Sequence, residues 1–303
     1  MKIKISIISF VLLVVFGFSL HAQKTNRAWW DGLSPAWKKV ILKQQFKGKD
    51  LTPTNEQLAE IGKMVFLDIA DNKDIKTLEP VSALQLLRVI KANRSGIESL
   101  DGIEGLINLE EIDCSDNDNI NSLVPLRFLN NLEKINCGNT MVKNLVPLKD
   151  LKLLRYLDVH YTTIVDLRIL KDLRKLEYLN LEQNISLYSL EGVEYMTELR
   201  ELNCSNTNIE LLRPLEDLKK LTRLDCSETK VFSLRPIQMV KSLEDVDCSD
   251  SEVTGTSLDY LVNNRSLIML RAKNIEITAK QIKEFEALMS KTNPDATIII
   301  SSK

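Results

Sequence analysis

The chain has 303 residues, 44% hydrophobic and 27% charged, an ordinary globular composition with room for one large domain or two small ones. Its formal net charge of −2 gives no pointer to nucleic acid or to an anionic membrane surface as a partner. Ten glycines and eight prolines are too few for a linker-rich chain, and the two histidines, His21 and His160, leave little for histidine chemistry.

Residues 1–23, MKIKISIISFVLLVVFGFSLHAQ, read as a signal peptide. Lys2 and Lys4 give a basic start, Ile5 to Leu20 an apolar run, and Ala22 a small residue for cleavage. Leu20, at the third position before such a cut, departs from the small-residue rule. Retention as a membrane anchor is the competing reading, against which the run is short for a spanning helix. The first cysteine is Cys114, so no lipid-attachment cysteine follows the run, and no second apolar stretch is long enough to span a bilayer. The expected location is secreted or periplasmic, with no integral membrane segment after signal removal. Loss of Lys2 and Lys4 would take the formal charge from −2 to about −4.

Residues 24–63 read as a helical N-terminal cap. Ser34 and Pro35 start a helix with Trp37, Val40 and Ile41 on its inner side. A second helix starts near Thr54, where Gln57 completes a capping box and Leu58 and Ile61 face inward. Trp29, Trp30 and Trp37 are all the tryptophans of the chain. They suit burial of a first repeat better than an exposed sugar-stacking site.

From Met64 the sequence repeats. With the leucine of LRELNCSNTNI as position 1, apolar residues recur at positions 1, 4, 6 and 11, and a polar residue at 9. Units start at Met64, Leu87, Leu109, Leu132, Leu154, Leu176, Leu199, Leu221, Leu243 and Leu267, at spacings of 22 to 24 residues. Positions 3 to 6 alternate out and in, as a short strand does, and one unit cannot bury its inner face alone. Pro80, Pro125, Pro147, Pro214 and Pro236 each stand seven residues before the next position 1, where they suit the first turn of a short helical return. Strand, turn, return and strand leave only parallel stacking.

The repeated phrase resembles the leucine-rich repeat of the short bacterial, internalin-like type, over Met64 to about Ile277. The resemblance implies an α/β solenoid with a parallel β-sheet on its concave face and short helical or 3₁₀ returns on its convex face. Residues 64–277 are the expected solenoid, closed by the helical cap before it and by a helix-plus-strand cap at residues 278–303.

Position 9 is asparagine in the 23-residue units (Asn72, Asn117, Asn184) and hydroxyl-bearing in shorter ones (Ser95, Thr140, Thr162, Thr207, Thr229). An amide that bonds both a backbone donor and an acceptor would match the wider turn. All five cysteines, Cys114, Cys137, Cys204, Cys226 and Cys248, fall at position 6, where other units carry Ile69, Ala92, Val159, Leu181 and Ala272. Exchange with apolar residues marks them as core packing. A column of parallel side chains cannot surround zinc, and stacked strands hold Cβ atoms too far apart for a disulfide.

Thr278 and Gln281 form a second capping box, and Ile282, Phe285, Leu288 and Met289 mark the apolar face of a helix that Asn293-Pro294 stops. ATIII then reads as a final strand covering the sheet edge.

No metal cluster, catalytic triad or cofactor motif is present in the sequence, so neither an enzyme nor a cofactor is expected. Function is left to the outward positions 2, 3, 5 and 7. Position 5 is rich in Asp and Asn, a column that reads as hydrated side chains rather than a calcium site. Two units differ from the rest: Arg155, Tyr156, Asp158, His160 and Tyr161 in one, Tyr178, Asn180 and Glu182 in the next. Tyr156 and Tyr178 share position 3, and aromatic and arginine side chains dominate binding hot spots. Asp225, Asp245 and Asp247, with Glu228, Glu244 and Asp250, add an acidic stretch suited to a partner with a basic surface. The expected function is a protein-binding module for an extracytoplasmic protein. The alternative is a cell-surface adhesin for carbohydrate or cell-wall material, for which stacked exposed aromatics would be needed.

Overall fold

The computed structural model describes residues 25–303; the expected signal peptide lies outside the described residues. In each repeat, positions 3 to 5 form a three-residue strand. These are β1 (Phe66–Asp68), β2 (Val89–Lys91), β3 (Glu111–Asp113), β4 (Lys134–Asn136), β5 (Tyr156–Asp158), β6 (Tyr178–Asn180), β7 (Glu201–Asn203), β8 (Arg223–Asp225) and β9 (Asp245–Asp247). The last unit has the longer β10 (Met269–Ile275). With β11 (Thr297–Ser302) they make one eleven-stranded sheet, parallel throughout, in which spatial order follows chain order. Like residues pair: position 3 sits beside position 3, and position 5 beside position 5.

The alternation does what the pattern requires. Position 4, from Leu67 through Ile112, Leu157 and Leu202 to Leu270, is buried in every unit. Burying each such side chain contributes about 1.5–3 kcal/mol, and only stacked neighbours supply the cover. The returns are 3₁₀ turns, among them Glu79–Ala83, Val124–Leu126, Val146–Leu148, Arg213–Leu215 and Arg235–Ile237, each with its proline in the first turn.

Between strand and return the backbone turns through a left-handed residue. Position 8 has φ between 50° and 61° in all ten units, and none of these residues is glycine. Six are Asp or Asn, which tolerate this region; Arg94, Tyr161, Gln183 and Glu228 adopt it at a steric cost. Position 9 then ties the turn back. Hydroxyls donate to the position-6 carbonyl three residues earlier, as Thr207 Oγ1 does to Cys204 O at 2.6 Å. Asn72 accepts from the Asp74 backbone N–H at 3.2 Å, whereas Asn117 and Asn184 go further than expected. Asn117 Nδ2 donates to Cys114 O, Ser115 O and Ala92 O of the preceding unit, while its carbonyl accepts from the Ser95 hydroxyl rather than from a backbone N–H. Asn184 repeats the arrangement on Val159 and Thr162.

All five cysteines are buried free thiols. Burial pushes the Cys114 thiol up to about 12, which disfavours the thiolate. Cys204 and Cys226 Sγ each lie 3.3 Å from a position-5 carbonyl of the following strand, so the thiols are hydrogen-bonded as well as packed.

Three helices precede the repeats: α1 (Arg27–Gly32), α2 (Pro35–Phe46) and α3 (Asn55–Ile61). Ser34 caps α2, and Thr54 with Gln57 forms the capping box of α3. Trp29, Trp30 and Trp37 are buried, and two indoles donate into the first return, Trp29 Nε1 to Pro80 O at 3.1 Å and Trp37 Nε1 to Thr77 O at 3.2 Å. Gln44 closes the free edge of β1: its side chain donates to Asp68 O at 2.6 Å and accepts from Asp68 N at 3.2 Å, replacing a neighbouring peptide. At the other end a short helix α4 (Gly255–Leu258) precedes β10, and α5 (Ala279–Thr292) carries the Thr278–Gln281 capping box and buries Phe285 and Met289. No helix among the described residues is long and apolar enough to cross a membrane.

Candidate interaction surface

Strand pairing lines the position-3 side chains of β3 to β9 into one row: Glu111, Lys134, Tyr156, Tyr178, Glu201, Arg223 and Asp245. At its centre the two tyrosine rings are parallel, 4.3 Å between centroids at an interplanar angle of 1°. Lys134 Nζ lies 4.7 Å from the Tyr156 centroid and 3.4 Å from Glu111 Oε1, and Lys91 also binds Glu111. Burial alone would raise the Glu111 pKa, but the two ammonium groups hold it below the usual carboxylate value. Burial, with Asp158 nearby, raises both tyrosine pKa values, so the rings stay neutral.

Below the rings sits Asp158. One of its oxygens accepts from His160 N at 3.0 Å and lies 2.7 Å from His160 Nδ1; the other receives Asn180 Nδ2 at 3.3 Å. Burial pushes the Asp158 carboxyl up, yet the bonds from His160 hold it below its ordinary value. The bond to Asp158 raises His160 in turn. The imidazole lies over Gly138 on the preceding unit, where a Cβ would come 2.0 Å from Nδ1. Glycine makes the room.

The expectation that position 5 is a hydrated column needs correction at its centre, the other position-5 residues being exposed or half-buried. Asp158 and Asn180 are only 6% and 7% exposed, so they cannot meet a partner directly. Position-5 oxygens are instead turned back on the chain: Asp113, Asn136, Asn180, Asn203, Asp225 and Asp247 each accept the backbone N–H two residues on. This local bond is the one Asp and Asn form most readily, and it ends each strand.

Around the stack, Arg155 binds Glu177 and reaches Glu133 at 3.9 Å, while Glu182 accepts from Asn203 at 3.2 Å. Tyr161 is 58% exposed on its left-handed residue. The acidic stretch is partly neutralised, because Arg271 reaches back to Asp245 at 2.6 Å and to Asp247 at 2.7 Å. Asp225 accepts from the Ser227 hydroxyl, and Glu228 and Glu244 stay exposed. Among the described residues no group of three or more His, Cys, Asp or Glu is placed to hold a metal ion.

Sequence reasoning missed Lys134 and Gly138. Both were within reach of it, since they occupy positions 3 and 7 of the unit before Tyr156 and His160.

No family model matches the chain, and no curated protein sequence does. Solved structures do. An internalin of Listeria monocytogenes, InlF, superposes with a TM-score of 0.67 at 18% identity, over 89% of each chain. A leucine-rich repeat protein of Leptospira interrogans gives 0.69 at 23% identity, over 77% of this chain and 59% of its own. The chain has the internalin-type leucine-rich repeat fold. A third structure, the functional domain of InlJ from Listeria monocytogenes, gives 0.66 at 20% identity over 92% of this chain and 61% of its own, and is described as including a cysteine ladder. In the internalin-type solenoid of this chain, position-6 cysteines stand in adjacent units at Cys114–Cys137 and at Cys204–Cys226–Cys248.

Proposed function

We propose that this chain is a non-enzymatic scaffold that binds an extracytoplasmic protein on the outer face of its sheet, centred on Tyr156 and Tyr178. The observation that carries the reading is the stacked pair itself: two rigid aromatic side chains standing in a row otherwise made of charged residues. Arg155, Tyr161 and Glu182 border it, and Asp158, His160 and Asn180 act from below by fixing the strand ends and the local charge. Broad aromatic area with polar rims is the composition of protein-binding hot spots. The internalin-type fold supports the reading by analogy of shape alone. Secretion to the periplasm or beyond follows from the sequence of residues 1–23.

Carbohydrate adhesion is less well supported. Sugars stack on open ring faces, whereas both faces of Tyr156 are occupied, by Lys134 and by Tyr178, one face of Tyr178 is taken by the stack and its other face is bordered by Glu201, and the tryptophans are buried in the cap.

The test is capture of partners from the native envelope, read by mass spectrometry, with the wild-type protein and with Tyr156→Ala/Tyr178→Ala. Loss of capture by a variant whose melting temperature stays within a few degrees supports the site. Capture that survives moves binding elsewhere.

A further inference from the structure

The position-3 row is not symmetric about the tyrosine pair. On the N-terminal side the order is acid, cation, ring: Glu111, Lys134, Tyr156, with the ammonium held between carboxylate and aromatic face. On the C-terminal side it is ring, acid, cation: Tyr178, Glu201, Arg223. Glu201 turns to Arg223, at 3.5 Å, and among the described residues no cation lies over Tyr178. A carboxylate is thus the neighbour of an aromatic face whose quadrupole favours a cation. Glu182 stands just beyond the C-terminal end of β6, while Glu177, just before its start, is already paired with Arg155. Asn203 is the only side chain hydrogen-bonded to Glu182 among the described residues.

We infer that the outer face of Tyr178, flanked by Glu201 and Glu182, is the seat for a lysine or arginine side chain of the bound protein. The inference rests on the proposed protein-binding role of this face and names the group that the face selects. The chain displays the chemistry once already, with its own Lys134 against Tyr156 and Glu111. A partner cation above β6 and β7 would meet the same two kinds of group, an aromatic face and a carboxylate, from above the sheet rather than from a strand between them. Ring and carboxylate together favour a cation that either alone would hold weakly. Charge complementarity here is local to one side chain, and it needs no acidic field over the whole face.

The probe is a capped glycyl-lysyl-glycine peptide, its arginine analogue and its acetyl-lysine counterpart, titrated into protein carrying ¹³C-labelled tyrosine. The Tyr178 ring signals, assigned with Tyr178→Phe, are expected to shift saturably at millimolar peptide and to shift more than those of Tyr156. The acetylated peptide should leave them in place, and Glu201→Gln should weaken the lysine peptide several-fold. Equal shifts with charged and acetylated peptides overturn the seat, as does binding indifferent to Glu201→Gln. Partner capture separates the two ideas. Capture lost with the tyrosine pair but unchanged in Glu201→Gln removes the seat and leaves the surface standing. Capture that survives loss of both tyrosines removes both.

Discussion

Asp158 Oδ1 and His160 Nδ1 lie 2.7 Å apart, joined across positions 5 and 7 at the end of one strand. The folded pKa of His160 is raised above its ordinary 6.5, first by this bond, and that of Asp158 is lowered below 3.8. The His160 contribution to stability is therefore fully present below about pH 6.5 and is lost as pH rises through the raised value. The Asp158 contribution is present above about pH 3.8 and is lost as pH falls through the lowered value. Both operate together between those limits. An NMR titration of the His160 ring should give a midpoint above 6.5, and Asp158→Asn should lower it, because the bond that raises it most is lost while only the more distant Glu182 and Asp116 still oppose burial. An unchanged midpoint in Asp158→Asn would show that the pair is not coupled.

Gly138→Ala tests the same pair from underneath. Gly138 lies outside the left-handed region, so alanine brings no backbone strain, only a methyl where the imidazole rests. The ring should swing off Asp158, with the His160 midpoint falling toward 6.5 and stability dropping by about 1–2 kcal/mol. Denaturant melts with the titration would show both effects; a midpoint that stays put would mean the ring has room to spare.

Cys226 packs at position 6 with Sγ 3.3 Å from Asp247 O. Serine has a shorter bond to its oxygen, so Cys226→Ser leaves a buried hydroxyl with a stretched hydrogen bond and should cost about 1–3 kcal/mol. Cys226→Ala should cost less, as alanine already fills position 6 at Ala92 and Ala272. Urea unfolding of the two variants decides the order. A disulfide between Cys204 and Cys226, found by non-reducing mass spectrometry, would refute the packing account.

Gln183 holds φ at 61° with an unbranched side chain. Gln183→Val places a β-branched residue there and should lower stability by about 1–2 kcal/mol, while Gln183→Asn should raise it by several tenths. Melting temperatures that move in the opposite sense would show that the turn relaxes.

Trp37 anchors the cap to the first return through Nε1 and Thr77 O. Trp37→Phe keeps most of the apolar volume and removes the donor, so the carbonyl loses its partner and stability should fall by about 1–3 kcal/mol. Thermal unfolding reports it; an unchanged melting temperature would assign the tryptophan to packing alone.

The repeat was legible because burial at positions 1, 4, 6 and 11 leaves one way to stack, and the capping boxes at Thr54 and Thr278 were legible because they are local. Position 8 was not. Arg94, Tyr161, Gln183 and Glu228 have no preference for a left-handed backbone; the stacked turns impose it. At the candidate site, the Tyr156–Tyr178 neighbourhood followed from alignment alone, but the near-complete burial of Asp158 and Asn180 did not. Position 5 points outward on paper, and only the returning hydrogen bonds withdraw it. The wider turn accounts for the amide of Asn117 only within its own unit, whereas half its bonding runs to the unit before.

Those cross-unit side-chain bonds have a mechanical meaning. Asn117 holds Ala92 and Ser95, Asn184 holds Val159 and Thr162, and Ser257 and Asn264 bond Leu234 N and Val240 O, so three junctions of the array carry buried polar locks in addition to strand pairing and apolar contact. Cooperativity in a solenoid passes only between neighbours, and its weakest junction sets where it parts. Under mild denaturant the molecule should therefore fracture into blocks rather than fray evenly, with the pairs at residues 87–131, 154–198 and 221–266 exchanging their amides last.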